Sequence, residues 1–191
     1  PVSGHYHEYS FGPKIAPDGS FFVSGNEAFG DEEWWRGESR APGRGWIFRI
    51  TPDGKFEPYA TGVRSPAGLS MLNGELFYTD NQGDWMGSGG IFQIDKGDFV
   101  GHPAGLRWAE LPNSPVKLTE KQFFSVMDNR KVKDKNGRYI KPENVADEKD
   151  PKFLYMLKEK YPESVKLPAV WLPYGIQGIS TSEIVVDDTD G

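Results

Sequence analysis

Cysteine is absent from this chain of 191 residues. That removes thiol nucleophiles, disulfide bridges and thiolate metal sites in one step, and it leaves the compartment open. Long apolar runs are missing too. The longest are strand-sized, far short of the roughly 20 residues of a membrane-spanning helix, so no membrane span is expected. Basic charge is outweighed, with 22 Lys and Arg against 28 Asp and Glu for a formal charge of −6. Nucleic-acid binding normally needs a clustered basic face. The one locally basic stretch, Lys131 to Lys141, reads more simply as a solvated loop. There is no GxSxG elbow, phosphate-cradling glycine loop or dinucleotide fingerprint, which leaves serine hydrolysis and NAD chemistry unsupported.

What the chain does have is aromatic residues and turn formers, including 23 Gly and 15 Pro. This composition suits an all-β protein rich in tight turns. Lys14 to Gly25 reads as strand, turn, strand around Pro17-Asp18-Gly19, and Thr51-Pro52-Asp53-Gly54 repeats the device. Proline presets the first turn position and glycine supplies a positive φ. Asn73-Gly74, between apolar runs, is a strong hairpin signal. Gly45-Trp46-Ile47-Phe48-Arg49-Ile50 returns as Gly90-Ile91-Phe92-Gln93-Ile94-Asp95. That period of roughly 45 residues is the size of a four-stranded propeller blade.

A propeller needs about four to eight blades of roughly 40–50 residues. The expectation is therefore an all-β chain, residues 1–191, forming part of a β-propeller of roughly three to four blades, with the remaining blades supplied elsewhere. Two stretches interrupt the pattern. Residues 26–44 carry Trp34 and Trp35 and read equally as a lid or a surface cover. Residues 110–167 read as an insertion with a short helix near 151–161, capped by Asp150 with Pro151 in its first position. Phe153, Leu154, Met156 and Leu157 of that helix are expected to pack against a blade. Strand-like sequence resumes at Pro168 to Gly175, and Glu183 to Asp187 reads as the start of another strand.

Several segments could carry chemistry. Pro66 pushes Ser65 into an extended conformation and so gives Arg64 a defined direction. A fixed guanidinium suits a carboxylate or a flat ring, although it can equally tie blades together through backbone carbonyls. Thr79-Asp80-Asn81-Gln82-Gly83-Asp84-Trp85 sets oxygen donors at alternating positions around a glycine, an arrangement suited to Ca²⁺ or to a plain polar turn. His5 and His7 alternate on an expected extended segment, where they could hold a transition metal. One of them beside Glu8 could instead act as a general base, or simply pack. His102, in Gly101-His102-Pro103, reads as shaping a turn, and Asp187 to Gly191 reads as another turn.

From Gly62 to Pro103 the segments GVRSPAGL, ELFYTDNQGDW and GGIFQIDKGDFVGHP resemble the core signature of the soluble glucose/sorbosone dehydrogenase-like propellers. HEYSFGPKIAPDGSFFVSGN and LPAVWLPYGIQGISTSEIV look closer to one branch, the propeller modules of large secreted bacterial proteins often joined to c-type haem domains. The resemblance implies a six-bladed parent propeller that binds pyrroloquinoline quinone (PQQ) with Ca²⁺. It gives Arg64 the quinone contact, with Ser65, Asp80 and Asn81 as further cofactor-binding positions. Gln82, Gly83 and Asp84 fall at the metal site, and His7 is the nearest match to the base. The sequence departs from the pattern at Ser65, which replaces an Asn, and at Gln82-Gly83, which replaces a Gly-Pro pair. The implied activity is oxidation of a sugar or alcohol, with a c-type haem protein as electron acceptor, in the periplasm or outside the cell.

Two other readings stay open. One is a propeller that recognises carbohydrate or protein without catalysis, stacking sugars on Trp34 and Trp35. The other is a metal-dependent lactonase, whose cation site Glu8, Asn26 and Asp80 would loosely supply.

Overall fold

Three tight turns fold the first half of the chain into hairpins. In a computed structural model, which describes residues 3–27, 38–66, 68–81, 88–126, 128, 130, 132–140, 152–173, 176–177 and 181–189, strand β1 (Ser10–Ile15) turns through Pro17-Asp18-Gly19 into β2 (Phe21–Gly25). The turn closes with Ala16 N–H donating to Ser20 O at 2.8 Å. β3 (Trp46–Ile50) turns through Thr51-Pro52-Asp53-Gly54 into β4 (Phe56–Thr61), closed by Thr51 N–H donating to Lys55 O at 2.9 Å. At the third turn Asn73 and Gly74 take φ of 50° and 84°. That left-handed pair matches the twist of the strands it joins, β5 (Gly68–Leu72) and β6 (Glu75–Asp80).

The strands make two four-stranded antiparallel sheets. Sheet 1 runs β1-β2-β3-β4 in chain order. Sheet 2 runs β5-β6-β7-β10, where β7 is Ser88–Ile94 and β10 is Val170–Pro173. The first strands of the two sheets, β1 and β5, lie against each other. Register and alternation put Leu69, Met71, Leu76, Tyr78, Phe92 and Ile94 on one face of sheet 2. That face packs with Phe22, Ile47 and Ala60 of sheet 1 in a single core.

Between β7 and β10 the chain leaves the sheet and returns as a strap. Phe99 pairs in parallel with Thr61 on one side and Val165 on the other. A 3-10 turn (Pro103–Trp108) and a short helix α1 (Glu120–Phe124) follow. Thr119 and Gln122 close a capping box at the start of α1. A small hairpin, β8 (Val132–Lys133) and β9 (Tyr139–Ile140), precedes helix α2 (Lys152–Lys160). Leu154 and Leu157 are buried in the core, whereas Met156 is 46% exposed and so does not pack as expected. Asp150 and Pro151, the expected cap, lie outside the described residues. Residues 181–189 form no regular element, so the strand expected over Glu183 to Asp187 is not formed there. They are held instead through side chains, with Ile184 N–H donating to Ser70 Oγ at 3.0 Å and Thr79 Oγ donating to Ser182 O at 2.7 Å.

Phe99 is fully buried, touches Phe123 edge-on at 5.8 Å and holds the strap against β4 of sheet 1. Phe99→Ala should cost about 3–5 kcal/mol, read as a lowered midpoint in chemical denaturation.

Candidate functional site

An antiparallel meander brings every second strand end to the same side. The C-terminal ends of β2, β4 and β6 and the N-terminal ends of β1, β3, β5 and β7 therefore converge. Most of the chemically interesting residues sit there: His7 and Glu8 before β1, Asn26 and Glu27 after β2, and Arg44 before β3. Arg64 and Ser65 lie between β4 and β5, and Asp80 and Asn81 at the end of β6.

Arg64 is braced from three directions. Its carbonyl accepts from Glu27 N–H, from the sheet 1 side, at 3.2 Å. Its own N–H reaches Asp80 Oδ2 and Tyr78 Oη, both on β6 of sheet 2, at 3.3 Å each. From the strap, His102 N–H donates to Gly62 O at 2.9 Å, two residues before Arg64. Gly62 takes a φ of 91°, and a Cβ there would meet Gly101 N and the Phe99 ring at 2.9 Å. Only glycine fits this crossing. The result is a half-buried arginine with a fixed backbone at the seam of the two sheets.

Asp80 is the hub on the sheet 2 side. Oδ1 accepts from Asn81 N–H at 2.8 Å while Oδ2 faces Arg64, and the carboxylate also takes the Tyr78 hydroxyl. Burial, followed by the charge of Asp80, holds the Tyr78 phenol well above its ordinary value. Asn81 Oδ1 accepts from Thr181 N–H at 2.9 Å. Ser65 lies half-buried beside Arg64.

The first residues differ from the expectation. His5 and His7 do not alternate along an extended strand, because Tyr6 and His7 form a turn. His5 Nδ1 accepts from His7 N–H at 3.1 Å, and Glu8 N–H donates to His5 O at 3.2 Å. A short-range backbone bond has taken the place of the extended geometry. The His7 carbonyl accepts from Asn26 Nδ2 at 2.9 Å, while Asn26 Oδ1 takes Tyr9 N–H. Glu8 pairs with buried Arg44 at 3.5 Å and accepts from Ser3 N–H at 2.9 Å. Glu8 and Asn26 are thus engaged in holding the chain.

His102 shapes a turn as expected, capping the 3-10 turn with Nδ1 accepting from Ala104 N–H, but its pairing with Glu27, and the places of Glu27, Tyr78 and Arg44 at this end, are not evident from the sequence. Glu27 and His102 approach within 2.6 Å, Oε2 to Nδ1, with side chains 0% and 5% exposed. Burial raises the Glu27 carboxyl above its ordinary value; His102 and Arg64 oppose the rise and Asp80 adds to it. A buried carboxyl raised by desolvation beside an arginine of fixed backbone makes this sheet end the candidate site. The available signal was topological, since Glu27 follows β2 at the same sheet end as Arg64 and Asp80. Gln82, Gly83, Asp84, Trp34 and Trp35 lie outside the described residues. Among the described residues no group of three or more His, Asp or Glu side chains is gathered for a metal ion. No known protein family, curated protein or solved structure matches the chain.

Tyr78→Phe leaves Arg64 N–H on Asp80 alone and strips Asp80 of a donor. The change should cost about 1–2 kcal/mol in stability, measured by denaturant titration.

Proposed function

We propose that the two stacked sheets are blades of a β-propeller and that the seam at Arg64 binds an anionic planar cofactor of the PQQ type. The protein would serve as a dehydrogenase of sugars or alcohols. The connectivity supports the blade reading. Each sheet is an up-and-down meander, and β4, the last strand of sheet 1, passes directly to β5, the first strand of sheet 2. The observation that carries the functional reading is the bracing of Arg64 by both sheets and the strap. An arginine whose backbone is held this way projects its side chain from a fixed point, which lowers the cost of ordering it on a carboxylate-bearing ring.

The donor set fits such a ring at Arg64, a half-buried cation beside groups that donate and accept. The Ca²⁺ assignment falls on Gln82, Gly83 and Asp84, outside the described residues. When bound, the quinone supplies the hydride acceptor and Ca²⁺ the Lewis acid. The chain's own part is to bind, orient and move a proton. Arg64 would hold the ring's negative charge, and Asp80 would keep the arginine backbone in place. His7, whose Nδ1 is buried, would take the substrate hydroxyl proton at Nε2. Electrons would leave to an acceptor such as a c-type haem protein, and secretion to the periplasm or beyond accords with that partner.

A second reading has its own support. Tyr6 and Tyr9, 81% and 50% exposed, line the same end, and Tyr6 stacks on His5 at 4.7 Å. Exposed rings of this kind suit sugar stacking without catalysis. The lactonase reading is weaker, because Glu8 and Asn26 are committed to Arg44 and to backbone groups.

Titration of PQQ into the protein, with and without Ca²⁺, separates the readings. Ca²⁺-dependent binding that Arg64→Ala weakens by about 10–100-fold, the worth of one charge-assisted bond, supports the dehydrogenase. No quinone binding, with sugar binding retained, supports recognition alone.

A further inference from the structure

Beneath Arg64 the strap and sheet 1 meet at two side chains that no reaction step above uses. Glu27 Oε2 and His102 Nδ1 stand 2.6 Å apart with both side chains buried. A contact this short contains a proton, and the surroundings indicate which partner carries it. Ala104 N–H is directed at the same Nδ1 from 3.3 Å, at the start of the 3-10 turn. A ring nitrogen that faces a backbone N–H presents its lone pair. The other carboxyl oxygen, Oε1, is pressed against Gly45, where an added Cβ would lie 2.5 Å from it. Among the described residues neither Oε1 nor Oε2 accepts a hydrogen bond from a donor, so the 2.6 Å approach to Nδ1 is not one in which the ring donates. A buried carboxylate left so poorly solvated would be costly, whereas a neutral acid tolerates the position.

We propose that Glu27 is held as the neutral acid, donating from Oε2 to Nδ1 of a neutral His102, and that the two are positioning residues for Arg64. Their backbones already grip the segment, through Glu27 N–H to Arg64 O and His102 N–H to Gly62 O. The acid–imidazole bond locks those two grips to each other across the seam. The charged and titratable groups facing Glu27 are His102 from the strap, Arg64 from the β4–β5 connection, and Asp80 and Tyr78 from β6. Burial is the largest influence on the carboxyl and works in the direction of the neutral form. With Glu27 uncharged, one carboxylate rather than two stands near Arg64, so an incoming anion meets less negative charge there. This last consequence rests on Arg64 as the ligand-holding cation; the location of the proton does not.

Infrared and ¹⁵N spectra of the whole protein near pH 7 test the proton directly. The expected result is a neutral carboxylic-acid C=O band that disappears in Glu27→Gln, with one protonated and one unprotonated nitrogen on His102. No such band together with a doubly protonated His102 ring overturns the assignment. PQQ with Ca²⁺ then serves as the probe of positioning. Glu27→Ala should weaken its binding about tenfold, and Glu27→Gln, which keeps a neutral donor toward Nδ1, should recover most of that loss. Equal loss in both variants overturns the positioning role. An intact acid band in a wild type that binds no quinone upholds the proton assignment and removes the quinone reading.

Discussion

The crossing from the last strand of sheet 1 to the first strand of sheet 2 is the constraint that organises this molecule. Five residues, Gly62 to Pro66, must turn the chain from one sheet into the next while passing under the strap. Gly62 N–H reaches back to Gly45 O at 3.0 Å, and Val100 N–H donates to Thr61 O at 2.9 Å just before the turn. Trp46 Nε1 donates to Gly105 O at 2.7 Å, tying the strap to sheet 1. Gly62, Val63 and Arg64 thus each engage another element through the backbone. Buried backbone polar groups demand this, and the demand makes the connection rigid. The Arg64 backbone inherits that rigidity from the packing of its neighbours.

The electrostatics follow from the same crowding. Two buried carboxyls, Glu27 and Asp80, and the half-buried Arg64 come from three elements and are brought within influence of one another. Both carboxyls cannot sit ionised beside one arginine at equal cost. Asp80 is satisfied by Asn81 N–H, Arg64 N–H and the Tyr78 hydroxyl, so it is the better-solvated of the two. Glu27 has His102 alone among the described side chains as a partner within hydrogen-bond distance. Environment, more than residue type, separates their roles.

Much of this was legible in the sequence. Pro-Asp-Gly and Asn-Gly marked the turns because proline and glycine impose their backbone angles locally. Alternation marked the strands because the core faces one side of each sheet. Arg64 and Asp80 stood out through Pro66 and the polar loop, and the structure brings the two into contact. His7 was read on an extended segment, where a local turn proved the better solution for the backbone. Glu27 and His102 were not legible as a pair, since 75 positions separate them in the chain. Only the strap, a long-range feature with no local signal, brings them together. The paired sheets were foreshadowed by the repeat, whose two copies fall on β3 and β7, the third strand of each sheet.

Native-state hydrogen exchange at the amides of Glu27, Arg64 and His102 tests the central claim most directly. If the crossing is locked from all sides, these three protons should exchange slowly and together, at a rate set by cooperative opening of the seam. Fast exchange at Arg64, with the strands of both sheets still protected, would show a loose connection and contradict the account.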